Sequence, residues 1–136
     1  MEPDKDEIVD LLFSILETLI IEDCFKLLSA PSYFPSLSRL EIKKNDHFLQ
    51  VKKILSKVTN LSTLEIIGEN GMIGLTCLSY VALRLLSNNH HHPNIKFLRL
   101  HRCTDLTTIR DCGTSLKRLE LLYCDNLRDL SGDLCT

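Results

Sequence analysis

Six cysteines and a run of three histidines are the side chains with the widest chemical range in this chain, and a metal site or a reactive thiol would draw on them first. Their spacing supports neither. No C-x-x-C pair occurs, and the intervals from Cys24 through Cys77, Cys103, Cys112 and Cys124 to Cys135 match no zinc-finger pattern. His90-His91-His92 are consecutive, so their rings leave the backbone in different directions, and before Pro93 they read as a solvated polar loop. No G-x-x-x-x-G-K-[ST] phosphate loop is present, and no carboxylate pair or Ser/His/Asp set stands out. The expectation is a protein that is not an enzyme and uses no cofactor and no metal.

The remaining bounds come from composition. With 136 residues, 44% of them hydrophobic, the chain is long enough for one domain with a buried core. A formal net charge of -2 without a basic run gives no electrostatic reason to expect nucleic acid or an anionic membrane as partner. No apolar stretch approaches the roughly 18 uninterrupted residues that a spanning helix needs. The acidic start Met1-Glu2-Pro3-Asp4-Lys5-Asp6-Glu7 is unlike the basic head of a secretory signal. A cytoplasmic location with reduced thiols is therefore expected, and the Asn60-Leu61-Ser62 sequon is read as chance.

Self-similarity fixes the elements that must carry any site. Five stretches share apolar residues at positions 1, 4 and 6, a small or polar residue at 9 and an apolar one at 12; they start at 16, 37, 61, 95 and 116. Examples are Leu37-Ser38-Arg39-Leu40-Glu41-Ile42 leading to Asn45 and Phe48, and Leu61-Ser62-Thr63-Leu64-Glu65-Ile66 leading to Glu69 and Met72. Positions 4 and 6 lie on one face of a short strand, while 3, 5 and 7 face the other way. A Cys or Asn at position 9 is suited to bond the backbone of its own and adjoining turns. One unit cannot bury its apolar face alone, so stacking creates the core. Neighbouring units lie roughly 5 Å apart, which brings Cys103 and Cys124 within disulfide reach if oxidised.

Intervals of 21, 24, 34 and 21 residues separate the repeats. Val51, Ile54, Leu55 and Val58 have the spacing of a short amphipathic helix with Lys52, Lys53 and Lys57 outward. Leu78, Val81, Ala82, Leu85 and Leu86 predict a longer one in the third unit. Ile8, Leu11, Leu12 and Ile15 are also helically spaced, and either cap the stack or belong to an earlier repeat. The organisation expected is an acidic segment with a possible capping helix over 1–14 and a repeat domain over 15–136.

This pattern is that of the leucine-rich repeat. Blocks such as Phe34-Pro35-Ser36-Leu37-Ser38-Arg39-Leu40-Glu41-Ile42, Leu16-Glu17-Thr18-Leu19-Ile20-Ile21-Glu22-Asp23-Cys24 and Leu116-Lys117-Arg118-Leu119-Glu120-Leu121-Leu122-Tyr123-Cys124 resemble the repeats of plant intracellular nucleotide-binding disease-resistance proteins. The resemblance implies an α/β solenoid: a horseshoe with a short parallel β-sheet on its concave face and irregular loops or short helices on its convex face. It also implies a protein partner in the defence response, namely a pathogen effector, a host protein guarded by the receptor, or the receptor's own nucleotide-binding domain. The absent phosphate loop means that only the recognition end is represented. Two other readings are a substrate-recognition arm of a ubiquitin ligase and a truncated receptor fragment without independent activity.

The candidate protein-binding residues are those facing away from the core. They are Arg39, Glu41, Lys43, Glu65, Phe97, Arg99, His101, Arg118, Glu120, Leu122 and Tyr123. Charges of both signs around apolar Phe97, Leu122 and Tyr123 suit a protein surface better than a phosphate backbone.

Overall fold

In a computed structural model, residues 13–24, 26–27, 34–56, 58, 60–79, 95–110 and 116–131 are described. Their elements are β1 (Thr18–Glu22), β2 (Arg39–Lys43), α1 (Phe48–Leu55), β3 (Thr63–Ile67), β4 (Cys77–Ser79), β5 (Phe97–His101), β6 (Thr108–Arg110), β7 (Arg118–Leu122) and β8 (Asp129–Ser131). The chain winds as a parallel-stranded solenoid, whose main sheet has the order β1-β2-β3-β5-β7. Every pairing keeps repeat register: Leu19 faces Leu40, Leu40 faces Leu64, Leu64 faces Leu98 and Leu98 faces Leu119.

That register is what the apolar periodicity demands, because a slip of one residue would turn each Leu outward. Leu40, Leu64, Ile42, Ile66 and Leu100 are fully buried, whereas Leu19 and Leu119 in the edge strands are only partly so. Full burial of such a side chain stabilises by roughly 1.5–3 kcal/mol. It therefore requires a neighbour on both sides, as stacked repeats supply.

Backbone groups at both ends of each strand find partners in the next turn. At position 2, one carbonyl accepts two amides from the following unit: Glu17 O from Ser38 and Arg39 N at 2.9 and 3.1 Å, and Lys96 O from Lys117 and Arg118 N at 2.8 and 3.0 Å. At position 8, Asp23, Lys44, Gly68 and Arg102 each donate an amide to the next turn's position-7 carbonyl at 2.8–3.0 Å. Asp23, Lys44 and Arg102, and Tyr123 at the same position of the following turn, have φ of 55–57°, a left-handed conformation that recurs at one position of the repeat.

The return side differs from the expected loops and helices. A second parallel sheet runs β4-β6-β8, placing Leu78, Ile109 and Leu130 in one row; the first two are buried and the last is exposed. Leu78, expected to begin a helix, is thus a strand residue buried in the core. Val81, Ala82, Leu85 and Leu86 lie outside the described residues, as do His90 to His92 and Ile8, Leu11 and Leu12, while Ile15 is exposed in a turn. The helix expected in the second unit is present as α1, burying Phe48, Val51, Ile54 and Leu55 and exposing Lys52 and Lys53. Val58 is buried just beyond α1, in a bridge to Phe34. Among the described residues no helix is long and apolar enough to cross a membrane.

The third turn holds a further departure. Leu75, Leu106 and Leu127 each donate an amide to the carbonyl three residues earlier, on Met72, Cys103 and Cys124. Met72 and Leu75, both fully buried, therefore occupy positions 9 and 12. The expected occupants, Glu69 and Met72, are displaced because Glu69-Asn70-Gly71 is inserted after Gly68, and Glu69 lies exposed.

Candidate functional site

The pairing that buries positions 4 and 6 lines up the alternate side chains in three rows on the outer face of the main sheet. Position 3 gives Thr18, Arg39, Thr63, Phe97 and Arg118; position 5 gives Ile20, Glu41, Glu65, Arg99 and Glu120; position 7 gives Glu22, Lys43, Ile67, His101 and Leu122. Tyr123 follows β7 and is 69% exposed. All eleven residues singled out from the sequence thus share one surface, on which an ion-pair network is flanked by aromatic contacts.

Charged residues from β2 to β7 form a continuous ion-pair network. The Arg39 guanidinium Nη2 bridges Glu41, with which it is in direct contact, and Glu65 Oε1 at 3.2 Å; Lys43 Nζ lies 3.6 Å from Glu41 Oε2. Arg99 reaches Glu65 Oε2 at 4.0 Å and Glu120 Oε2 at 2.9 Å, and Arg118 closes the row on Glu120 Oε1 at 2.7 Å. The Arg99 Nε–H is not aimed at the nearby carboxylate, so that contact is an ion pair without a hydrogen bond.

Glu41 and Glu65 face away from the core, yet both are only 5% exposed. Adjacent strands place these two carboxyl groups side by side, and the long side chains of Arg39 and Arg99 cover them. The hydrogen bond from Arg39 holds Glu41 below its ordinary pKa. Burial, and then the neighbouring Glu41, pushes Glu65 up. Two carboxyl groups so placed resist a second ionisation, and they titrate as a pair. The charges of this network are largely satisfied within the sheet.

Aromatic contacts lie at both ends of the strands. Arg118 stacks over Phe97 with 5.4 Å between guanidinium carbon and ring centre. The His101 and Tyr123 rings lie 5.4 Å apart, and Arg102 stands 6.0 Å over Tyr123. Buried Nε2 of His101 has no hydrogen-bond partner. Burial, followed by the charges of Arg102 and Arg99, holds His101 below the usual imidazole pKa, so its ring is neutral at neutral pH. Arg102 was missed in the sequence because it occupies position 8, a site whose residue types vary from turn to turn.

The cysteines act within the turns. Cys103 Sγ faces the carbonyls of Ile66 and His101 at 3.9 and 3.7 Å, and Cys124 Sγ faces those of Leu100 and Leu122 at 3.7 and 3.6 Å. In the second turn Asn45 fills this slot, and its Oδ1 accepts the His47 amide at 3.0 Å. Burial, then the adjacent Cys124, pushes the Cys103 thiol up to about 12, which leaves it inert as a nucleophile. Cys24, Cys77, Cys103 and Cys124 are free thiols. Among the described residues no three His, Cys, Asp or Glu side chains converge in a group able to hold a metal ion.

Comparison of the chain with protein-family models, with curated proteins and with solved structures yields no match.

Proposed function

We propose that this chain is a non-catalytic protein-recognition module, a leucine-rich-repeat horseshoe of the plant intracellular immune-receptor type, which binds a partner protein through the concave outer face of its main sheet. The observation that carries this reading is the outer-face surface itself: strand register sets half-exposed Phe97 beside Arg118 at one end of β5 and β7, and His101 beside exposed Leu122 at the other, where exposed Tyr123 follows. The core needs none of them. Aromatic residues and arginine are the usual anchors of protein interfaces, and a rim of paired charges favours register and specificity. The irregular turn lengths and the Cys or Asn at position 9 also fit the type. A partner in this setting is an effector, a guarded host protein or the nucleotide-binding domain of a receptor.

Variants must be chosen with the ion-pair network in mind. Arg99→Glu would set a third carboxylate between Glu65 and Glu120, and lost binding would then report misfolding. Phe97→Ala combined with Leu122→Ala replaces no member of an ion pair. A partner that co-purifies with the wild type and with Lys52→Ala/Lys53→Ala on α1 should be lost from that pair of outer-face substitutions, with unchanged circular dichroism. Retention by the outer-face variant would refute the assignment.

A further inference from the structure

Every arginine of β2, β5 and β7 has a carboxylate partner, whereas no described carboxylate lies within ion-pairing distance of Arg102. Its guanidinium stands over the exposed ring of Tyr123, which in turn leans on His101. Both Arg102 and Tyr123 occupy position 8, with φ of 57° and 55°. A glycine would adopt that conformation without steric cost. The last two turns nevertheless carry a cation and a large aromatic side chain there, side by side at the same end of the sheet. The unpaired charge, the adjoining apolar ring and Leu122 at the end of β7 form a corner at one margin of the outer face.

We infer that this corner recognises an acidic segment of the partner protein: a carboxylate for the Arg102 guanidinium and an apolar side chain for the Tyr123–Leu122 surface. The inference rests on the outer-face reading above and narrows it to a ligand class. A guanidinium already lying on an aromatic ring is positioned for a carboxylate, because little side-chain freedom remains to be lost. Phosphate of a nucleic acid is the weaker match, since the corner holds one free guanidinium and the chain has a net charge of -2.

The test uses the full chain to select from a random-peptide display library, and then isothermal titration calorimetry with the selected peptides. Selected sequences should share an Asp or Glu next to an apolar residue, bind more weakly as salt rises, and lose affinity when that acid is changed to its amide. Arg102→Ala should weaken them about tenfold or more, the range for a charge-assisted hydrogen bond. Arg102→Gly should do the same; it removes the guanidinium while easing the backbone, so lost binding cannot be blamed on strain. Peptides without a carboxylate, or indifferent to Arg102→Ala, overturn the inference, as does binding of an oligothymidylate that is equally sensitive to Arg102→Ala. Peptides lost from Phe97→Ala but kept by Arg102→Ala would remove this corner and leave the outer-face reading standing. Failure to enrich any peptide, or peptides blind to both substitutions, would count against both.

Discussion

Asp46 links the second turn to the insertion of the third, and its removal has a calculable cost. Its Oδ1 accepts the amides of Glu69 and Asn70 at 2.8 and 2.9 Å, and its Oδ2 accepts Asn70 Nδ2 at 3.2 Å. Burial alone would raise the carboxyl, but amide donation from Asn70, Glu69 and Met72 outweighs it and holds Asp46 below its ordinary pKa. A hydrogen bond to a charged group contributes roughly 1.5–3 kcal/mol when buried. Glu69 and Asn70 are exposed, so water recovers part of each bond in a variant. Asp46→Ala should therefore cost about 2 kcal/mol in all, which for a domain of this size lowers the thermal midpoint by roughly 6–10 °C. The pH dependence has a definite sign. A carboxyl with a depressed folded-state pKa contributes stability that is present above its unfolded pKa and lost as pH falls through the folded value. Urea unfolding of both proteins, followed by circular dichroism at a series of pH values, should show a constant gap near neutrality. That gap should close at pH values below the ordinary carboxylate range, with Asp46→Asn falling between the two. Equal stability at neutral pH, or a gap that persists in strong acid, would refute the role given to Asp46.

Gly68→Ala should destabilise by about 1–3 kcal/mol, because a Cβ there would meet the Arg102 carbonyl oxygen at 2.7 Å and the Met72 nitrogen at 3.3 Å, both main-chain atoms that cannot swing away; a change of only a few tenths in urea unfolding would contradict this. Glu65, with a raised folded-state pKa, contributes stability below its unfolded pKa that is lost as pH rises through the folded value. At neutral pH Glu65→Gln should therefore be at least as stable as the wild type, and Glu41→Gln, which breaks the Arg39 contact, less so; the reverse order would refute the paired titration.

How far the fold was legible depended on which contacts were local. Leu40, Leu64, Leu98 and Leu119 recur at one position of every unit, so strand register followed directly from periodicity. The insertion after Gly68 was hidden by the same regularity: Met72 and Leu75 are both apolar and three residues apart, and either alignment satisfies the pattern. Leu78 pairs beside Ile109, a contact between separate turns, and its row could not be told from a helix stripe by spacing. The burial of Glu65 has a similar origin: nothing local distinguishes it from Glu120, and arginines of the two neighbouring strands cover it, whereas Glu41 is met by Arg39 of its own strand. The outer-face residues were identified together by alternation, but their arrangement as an ion-pair network flanked by aromatic contacts depends on side-chain geometry. Arg102 escaped notice because the left-handed turn selects a backbone conformation and leaves the residue type open.

The most direct test of outer-face recognition is site-specific photo-crosslinking in cells, with the photoreactive residue placed at Leu122 on the sheet or at Lys53 on α1. Position 122 should give a discrete adduct with a second protein, lost in the Phe97→Ala background, and position 53 none. An adduct from position 53 alone, or equal yields from both, would contradict outer-face recognition.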